Sequence, residues 1–189
     1  MKYATDVYFT SDHHFGHENI IKFSNRPFNT VEEMDQELIK RWNSKIGKND
    51  KVYHLGDLGL CKADRMKTIL EQLNGKIFLI KGNHEGAAMS NTNRFEWTKD
   101  YFELNVADED APNGKQKIIL LHYAMRVWRS SFRGTWHLYG HSHGSLPDDE
   151  TMNSFDVGVD CHNFYPLSYA EIKAIMKQKK WEPPFEKRK

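Results

Sequence analysis

The chain has 189 residues, of which 39% are hydrophobic and 28% are charged, and its formal net charge is +1. This length and composition predict a single soluble domain over residues 1–189 with its own hydrophobic core. A net charge so close to zero excludes a protein that recruits duplex nucleic acid or a membrane surface through its overall field. No apolar run has the length of a signal peptide or a transmembrane helix, so we expect a cytoplasmic protein without a membrane partner.

The first half of the sequence alternates between strand and helix patterns. Short apolar runs predict strands at residues 7–10, 51–55 and 77–80. Apolar residues spaced along one helical face predict helices over residues 31–46 and 63–73. Thr30 and Glu33 form a capping-box pattern before the first helix, and Asn74-Gly75 ends the second.

The second half of the sequence is mostly strand. Residues 102–107 and 117–121 predict a strand pair around the polar turn 108–114, and further strands are predicted at 136–139 and 155–160. Ser168 and Glu171 form a capping box that opens a final helix, and the tail from about residue 178 is expected to be peripheral. This pattern predicts sheets packed together with helices outside them, rather than one doubly wound sheet.

Metal-ligating side chains follow the ends of successive predicted strands. They are Asp12 and His14, Asp57, Asn83 and His84, His122, and finally His141 and His143. Glycine precedes three of these groups, at Gly56, Gly82 and Gly140, where it permits a sharp turn and a close approach of backbone to a site. In an extended segment, side chains two residues apart point to the same side. The pair Asp12 and His14, and the pair His141 and His143, are therefore each expected to reach one cluster. Imidazole, carboxylate and carboxamide ligands without a thiolate suit a divalent metal such as Mn, Fe, Co, Ni or Zn.

In this order the residues resemble the calcineurin-like metallophosphoesterases, whose pattern is DxH, GD, GNH[D/E], H and GHxH. The matching blocks are Asp12-His13-His14, Gly56-Asp57, Gly82-Asn83-His84-Glu85, His122 and Gly140-His141-Ser142-His143. Any one block is a weak signal, whereas the ordered set spans most of the chain and is very specific. Without a large insertion or cap, the chain resembles a compact, single-domain, phosphodiesterase-type member. The resemblance implies a four-layer α/β/β/α sandwich of two mixed β-sheets flanked by helices.

The resemblance also implies a centre that holds two divalent metal ions, for which manganese is favoured over Fe, Zn, Ni or Co. The ligands of one ion would be Asp12, His14, Asp57 and His143. The ligands of the other would be Asp57, Asn83, His122 and His141, so that Asp57 bridges the two ions. A hydroxide held between the ions would then attack phosphorus. His84 holds no metal in this scheme and would protonate the leaving alkoxide as general acid.

The substrate predicted for such a centre is a small or nucleotide-like phosphodiester. A diester releases an alkoxide that needs a proton, and a chain without a cap leaves room on both sides of phosphorus. Arg126 and Trp128, in the loop that follows His122, are candidate contacts to a phosphate oxygen and a base, and His17 is a third candidate. The loop has an alternative interpretation as a packed aromatic segment, and His17 has one as the cap of a short turn.

Three alternative functions stay open at the level of sequence. The first is a phosphomonoesterase or protein phosphatase of the same fold. The second is a metal-free, catalytically silent relative that serves as a binding scaffold, which predicts lost ligands. The third is a dinuclear hydrolase of amide or lactone bonds, which has no need of the Gly-Asn-His block. Turnover of chromogenic phosphate diesters and monoesters with added Mn²⁺ separates these alternatives.

The remaining polar residues are given structural roles. His54, His137 and His162 are expected in the core or on the surface, and His13 in a second shell or on the surface. Arg26 is expected to be a solvated loop cation. Cys61 and Cys161 form no CxxC pair, so we expect two small core residues of a reduced protein rather than a disulfide or a zinc site.

Overall fold

The computed structural model describes residues 6–183, which form an α/β fold with two mixed β-sheets. The strands are β1 (Val7–Thr10), β2 (Lys51–His54), β3 (Lys76–Ile80), β4 (Phe95–Lys99), β5 (Tyr101–Ala107), β6 (Lys115–Leu121), β7 (Trp136–Tyr139), β8 (Ser154–Asp156) and β9 (Leu167–Ser168). The α-helices are α1 (Glu18–Phe23), α2 (Val31–Lys45), α3 (Ala63–Gln72), α4 (Gly86–Met89) and α5 (Tyr169–Met176).

The first sheet has the strand order β4-β3-β2-β1-β9, and the second has the order β5-β6-β7-β8. Strands β1 to β4 are parallel, and β9 joins β1 in antiparallel orientation. In the second sheet β5 and β6 form an antiparallel hairpin, while β6, β7 and β8 are parallel. The predicted fold, two mixed sheets with flanking helices, is confirmed.

Two hydrophobic clusters hold these layers together. Leu38 and Trp42 of α2 and Met66 of α3 pack with Ile77 and Leu79 of β3 on the outer side of the first sheet. The second cluster lies between the sheets and includes residues of β1, β2, β3, β6, β7 and α5. Because β3 contributes side chains to both clusters, its sequence is a continuous apolar run, as expected for a buried parallel strand.

The helix caps agree with the sequence patterns in part. The Ser168 capping box of α5 is complete, with both reciprocal hydrogen bonds present. At α2 the Thr30 hydroxyl accepts from the Glu33 backbone N–H at 3.1 Å. The Glu33 carboxylate accepts instead from the Asn29 backbone N–H at 2.8 Å, one residue before the predicted position. Thr30 therefore caps the helix without the reciprocal bond.

Several elements differ from the sequence predictions. The strand expected over residues 155–160 ends at Asp156, where the carboxylate accepts from the Gly158 backbone N–H at 2.7 Å and turns the chain. Cys161 is exposed and Cys61 is half-buried, so the core placement expected for Cys161 is wrong. Within residues 6–183 no helix combines the length and apolarity needed to cross a membrane. The predicted tail is described as far as residue 183, and residues 184–189 lie outside the described part.

Candidate metal centre

The side chains predicted at the strand ends meet at one end of the two sheets. Strands β1, β2 and β3 run parallel in the first sheet, and β6 and β7 run parallel in the second, so their carboxyl ends lie at common edges. Two groups of candidate ligands form there. The first group is Asp12, His14 and His143, and the second group is Asp57, His122 and His141. Within each group the ligand atoms all lie within 4.8 Å of one another.

Asp57 lies between the two groups. Its Oδ2 atom is 3.5 Å from His14 Nε2 and 3.6 Å from His122 Nε2. Asn83 adds a carboxamide oxygen to the second group, with Oδ1 3.3 Å from His122 Nε2. These are the residues that the sequence resemblance implies as ligands, and Asp57 lies between the two sets. Their role as metal ligands stays a prediction.

The backbone is left-handed at five of the seven candidate ligands. Asp12, His14, Asp57, His141 and His143 all have positive φ values, from 48° to 68°. Such a conformation costs about 1–3 kcal/mol at each non-glycine residue and is typical of functional sites. The extended geometry predicted for the pairs Asp12/His14 and His141/His143 is therefore wrong. Because the chain turns at each ligand, His141 and His143 lie in different groups rather than in one.

Glycine is required where the strand-end loops approach one another. A Cβ atom on Gly56, where φ is +98°, would lie 2.6 Å from both Gly82 N and His122 Nδ1. A Cβ on Gly82 would lie 2.6 Å from Asp57 N. Real Cβ atoms do not approach other heavy atoms so closely, so these positions exclude any side chain. The close backbone approach predicted from the glycines is confirmed.

The hydrogen bonds of two histidines fix which ring nitrogens carry lone pairs. His122 Nδ1 donates to the Leu55 carbonyl at 2.7 Å, and His143 Nδ1 donates to Asp160 Oδ2 at 2.6 Å. A neutral imidazole whose Nδ1 donates has a lone pair on Nε2. In the neutral rings the His122 lone pair faces the oxygens of Asn83 and Asp57, and the His143 lone pair faces His14 Nε2 at 3.2 Å. Each pair of facing atoms is satisfied by a proton, as on a charged His122 or on His14 Nε2, or by a metal ion between them.

The buried carboxylates point to the same need. Asp12 is fully buried, its Oδ1 atom has no hydrogen-bond partner, and burial raises the pKa of this carboxyl group to about 7. Burial also acts to raise the pKa of Asp57, but the hydrogen bond and charge of His122 hold this pKa well below its usual range. Burial lowers the pKa of His14 to about 3, which keeps its imidazole neutral. Oxygen and neutral nitrogen donors without sulfur fit two divalent metal ions.

His84 lies beside both groups and belongs to neither. Its backbone N–H donates to Asp57 Oδ1 at 2.9 Å, which ties its position to the carboxylate between the groups. Its half-buried ring is centred 5.6 Å from the His14 ring and 6.4 Å from the His17 ring. The next residue, Glu85, has a role that was not predicted from the sequence. This buried carboxylate accepts from the backbone N–H groups of Asp57 and Gly82 and so connects the two loops.

A second layer of buried polar residues supports the first group. Arg26, expected to be solvated, is only 4% exposed and binds Asp160 and the backbone of Asp12 and His13. That expectation is wrong because the partner carboxylate is supplied by a distant part of the chain. His13 is fully buried, with Nδ1 2.9 Å from Nε2 of the equally buried His54. Burial lowers the pKa of both imidazoles, to about 3 for His54.

The structure does not bring Arg126 and Trp128 to this cluster. Trp128 is buried, its indole N–H donates to the Thr135 carbonyl at 2.8 Å, and its ring packs 5.3 Å from the His137 ring. Arg126 is exposed and lines a separate depression with Trp128, Met152 and Trp181. The base-stacking role expected for Trp128 is wrong, because the ring and its N–H are used in packing against the second sheet.

A cleft of about 610 Å³ opens over both groups. His17 lines it and makes no side-chain cap of α1, so the capping alternative is not seen. Phe23 and Leu60 form an apolar part of the wall and are 75% and 44% exposed. Among the described residues that line the cleft there is no lysine or arginine.

Comparisons with known proteins agree with this site. Residues 5–162 match the profile of the calcineurin-like phosphoesterases, and the chain belongs to this family. An uncharacterized protein of Methanocaldococcus jannaschii is 35% identical over 181 residues, which cover 92% of this chain and 93% of that protein. The gene 66 protein of Mycobacterium phage L5 is 27% identical over 165 residues, or 75% of this chain and 79% of that protein.

A solved structure agrees with the fold. The crystal structure of a protein of unknown function from Aquifex aeolicus aligns with a TM-score of 0.68 at 23% identity, and the alignment covers 91% of this chain and all of that one. This likeness concerns the fold alone. Family membership, together with the two candidate ligand groups, implies a metal-dependent phosphoester hydrolase.

Proposed function

We propose that the protein is a dinuclear-metal phosphodiesterase that hydrolyses a small or nucleotide-like phosphodiester, with His84 as general acid. The observation that carries this proposal is the position of His84, which stands in the cleft beside both ligand groups but outside them. Manganese as the metal and a cytoplasmic location remain part of the proposal.

The residues that would hold the two ions are those of the two groups. Asp12, His14 and His143 would bind one ion, Asn83, His122 and His141 the other, and Asp57 both. Two divalent ions bound there would supply the positive charge that activates water and stabilises the oxygens on phosphorus. The chain's own contribution is to hold seven side chains in place with left-handed backbone turns and buried hydrogen bonds.

His84 is suited to deliver a proton to the leaving oxygen. Its imidazole reaches the cleft, and its backbone N–H holds it against the Asp57 carboxylate at 2.9 Å. A side chain in this position can donate to an alkoxide that departs on the side of the cleft away from the ligands. An alkyl leaving group needs this proton far more than a nitrophenolate does.

The cleft wall supports a diester rather than a monoester. A monoester dianion gains most from cationic side chains, and the described residues of the wall include no lysine or arginine. A diester carries a single negative charge and has a second substituent, which the apolar surface of Phe23 and Leu60 could cover. The exposed faces of these residues suit a substituent with an apolar or aromatic surface, such as a nucleoside.

The test compares kcat/KM of the Mn²⁺-loaded protein for bis-nitrophenyl phosphate and nitrophenyl phosphate, and then for a cyclic nucleotide and its monoester product. We expect the diester to be preferred in both pairs. A preference for the monoester in both pairs would overturn the diesterase assignment and favour a phosphomonoesterase. A protein that binds no Mn²⁺ and turns over none of these substrates would favour the metal-free binding scaffold.

The role of His84 is tested separately with His84→Ala. Turnover of a diester with an alkyl leaving group should fall by about 10²–10⁴-fold, while turnover of a nitrophenyl diester should fall much less. The control is metal content, which should be unchanged because His84 belongs to neither ligand group. Equal losses on both kinds of leaving group would show that His84 does not act as the acid.

A further inference from the structure

The buried guanidinium of Arg26 makes four short hydrogen bonds beneath the first ligand group. Its Nε and Nη2 atoms each donate to one oxygen of Asp160 at 2.8 Å. Nη2 also donates to the Asp12 carbonyl at 2.7 Å, and Nη1 donates to the His13 carbonyl at 2.8 Å. The guanidinium is therefore shared between a carboxylate and the backbone that carries two candidate ligands.

Asp160 continues this chain of contacts to the third ligand of the group. Its Oδ2 atom accepts from Arg26 and also from Nδ1 of His143, the latter at 2.6 Å. The carboxylate accepts the Nδ1 proton and so sets both the tautomer and the direction of the His143 ring.

We infer that Arg26 and Asp160 form a positioning pair that holds all three ligands of the first group for a metal ion. Asp12 and His14 are held through the carbonyls of residues 12 and 13, and His143 is held through its ring. This inference rests on the proposed metal centre. Neither residue touches the substrate or belongs to a ligand group, so both are positioning residues rather than catalytic ones.

The contacts of the pair explain why arginine stands at this position. The two bound carbonyls belong to a segment in which Asp12 and His14 have φ values of 59° and 52°, a conformation that needs support from its surroundings. A planar guanidinium presents a fork of donors that reaches the carboxylate and both carbonyls at once. A lysine ammonium is a point donor and cannot serve this set of acceptors with the same geometry.

The second group is held mainly by different contacts, and the bond from the His141 backbone N–H to Asp12 Oδ2 at 2.9 Å involves neither Arg26 nor Asp160. His122 is fixed by the Leu55 carbonyl, and the Asp57 loop is fixed by Glu85 and by the His84 backbone. No hydrogen bond joins Arg26 or Asp160 to Asp57, His122 or His141 among the described residues. Loss of the pair should therefore weaken one metal site and spare the other, which general destabilisation would not do.

The first test measures Mn²⁺ affinity by isothermal titration in two single-site backgrounds. In His122→Ala, which keeps the first group, we expect Arg26→Met to weaken the remaining site by about 10–100-fold. In His14→Ala, which keeps the second group, Arg26→Met should change the affinity less than twofold. Arg26→Lys should restore little of the loss. Equal effects in both backgrounds, or none in either, would overturn the inference.

A matched control is Arg94→Met. Arg94 is also a partly buried guanidinium that donates to three backbone carbonyls, those of Leu70, Leu73 and Gly75, but it lies away from the ligand groups. We expect this variant to lose thermal stability and keep both Mn²⁺ affinities. If Arg26→Met does not fold, Asp160→Asn takes its place, with the same selective loss expected.

The second test needs no metal. In the metal-free wild type, the His143 Nδ1 proton should give a downfield imidazole resonance in the proton NMR spectrum because its bond to Asp160 is short. Asp160→Asn should remove or shift this resonance, and Arg94→Met should leave it unchanged. An unchanged resonance in Asp160→Asn would overturn the pair. A wild type with this resonance that binds no Mn²⁺ would contradict the proposed metal centre instead, which separates the two failures.

Discussion

Acid should destabilise this protein through His137, a buried histidine that belongs to neither ligand group. His137 is completely buried, its Nδ1 donates to the Ile119 carbonyl at 3.2 Å, and its Nε2 accepts from the Met125 backbone N–H at 3.1 Å. The bond from Met125 requires a neutral ring, because a protonated imidazole cannot accept, whereas the donation to Ile119 is possible in either form. Burial lowers the pKa of His137 from 6.5 to about 4, with the hydrogen bond to Ile119 opposing it only in part.

The size of the effect follows from this shift in pKa. The unfolded chain takes up a proton at His137 below pH 6.5, whereas the folded protein does so only below about pH 4. The stabilisation is therefore fully present above pH 6.5 and is lost as the pH falls toward 4. Between pH 7.5 and pH 4.5 the free energy of unfolding should fall by about 2.5 kcal/mol from this residue alone.

The assay is urea unfolding in EDTA at several pH values, with His137→Gln as the comparison. Glutamine keeps one donor and one acceptor but does not titrate, so the variant should lose about 2.5 kcal/mol less than the wild type between pH 7.5 and 4.5. The difference between the two proteins cancels the other titrating histidines. Parallel pH dependences in the two proteins would refute the reasoning.

Three further predictions concern the site. Asp57→Asn should lower the content of both metal ions, because Asp57 Oδ2 lies between the groups, while His122→Ala should empty mainly one site. Elemental analysis after gel filtration measures the metal content of both variants. Two ions retained by Asp57→Asn would contradict the bridging role. Gly82→Ala should lose Mn²⁺ affinity and about 1–3 kcal/mol of stability in urea unfolding, because its Cβ would lie 2.6 Å from Asp57 N. The control is Gly86→Ala, because a Cβ on Gly86 has nothing within 4 Å. Phe23→Ala should raise the KM for a nucleotide diester at least about fivefold, because stacking on the ring is lost, and should leave the KM for dimethyl phosphate unchanged. Equal KM changes on both substrates would argue against an apolar subsite.

The sequence was sufficient to predict the parts of the fold that depend on local patterns. Strands β1, β2 and β3 are short apolar runs, and α2 and α3 have regular apolar faces with recognisable ends. Strand β4 was missed because Phe95–Lys99 mixes apolar and polar residues, as many edge strands do, and forms no continuous apolar run. The candidate ligands were predicted because they occur in ordered blocks next to strand ends.

The residues that the sequence misplaced depend on distant contacts. Arg26 follows Asn25 and precedes Pro27, which suggests an exposed loop, and its burial depends on Asp160, 134 residues away. Trp128 follows a candidate ligand closely in sequence, but the chain turns onto the second sheet after His122, so proximity in sequence does not become proximity in space. The left-handed turns at Asp12 and His14 likewise depend on partners that the local sequence does not contain.

The location of the ligand groups has a consequence for the cohesion of the whole fold. Asp12, His14 and Asp57 follow strands of the first sheet, whereas His122, His141 and His143 follow strands of the second, so each group spans the seam between the sheets. An ion in either group would cross-link the two sheets, which otherwise pack through apolar side chains. At a free metal concentration 100 times the dissociation constant, each bound ion would add about 2.7 kcal/mol to the free energy of unfolding. Metal supply would then set not only the rate of turnover but also how long the folded protein survives heat and proteases.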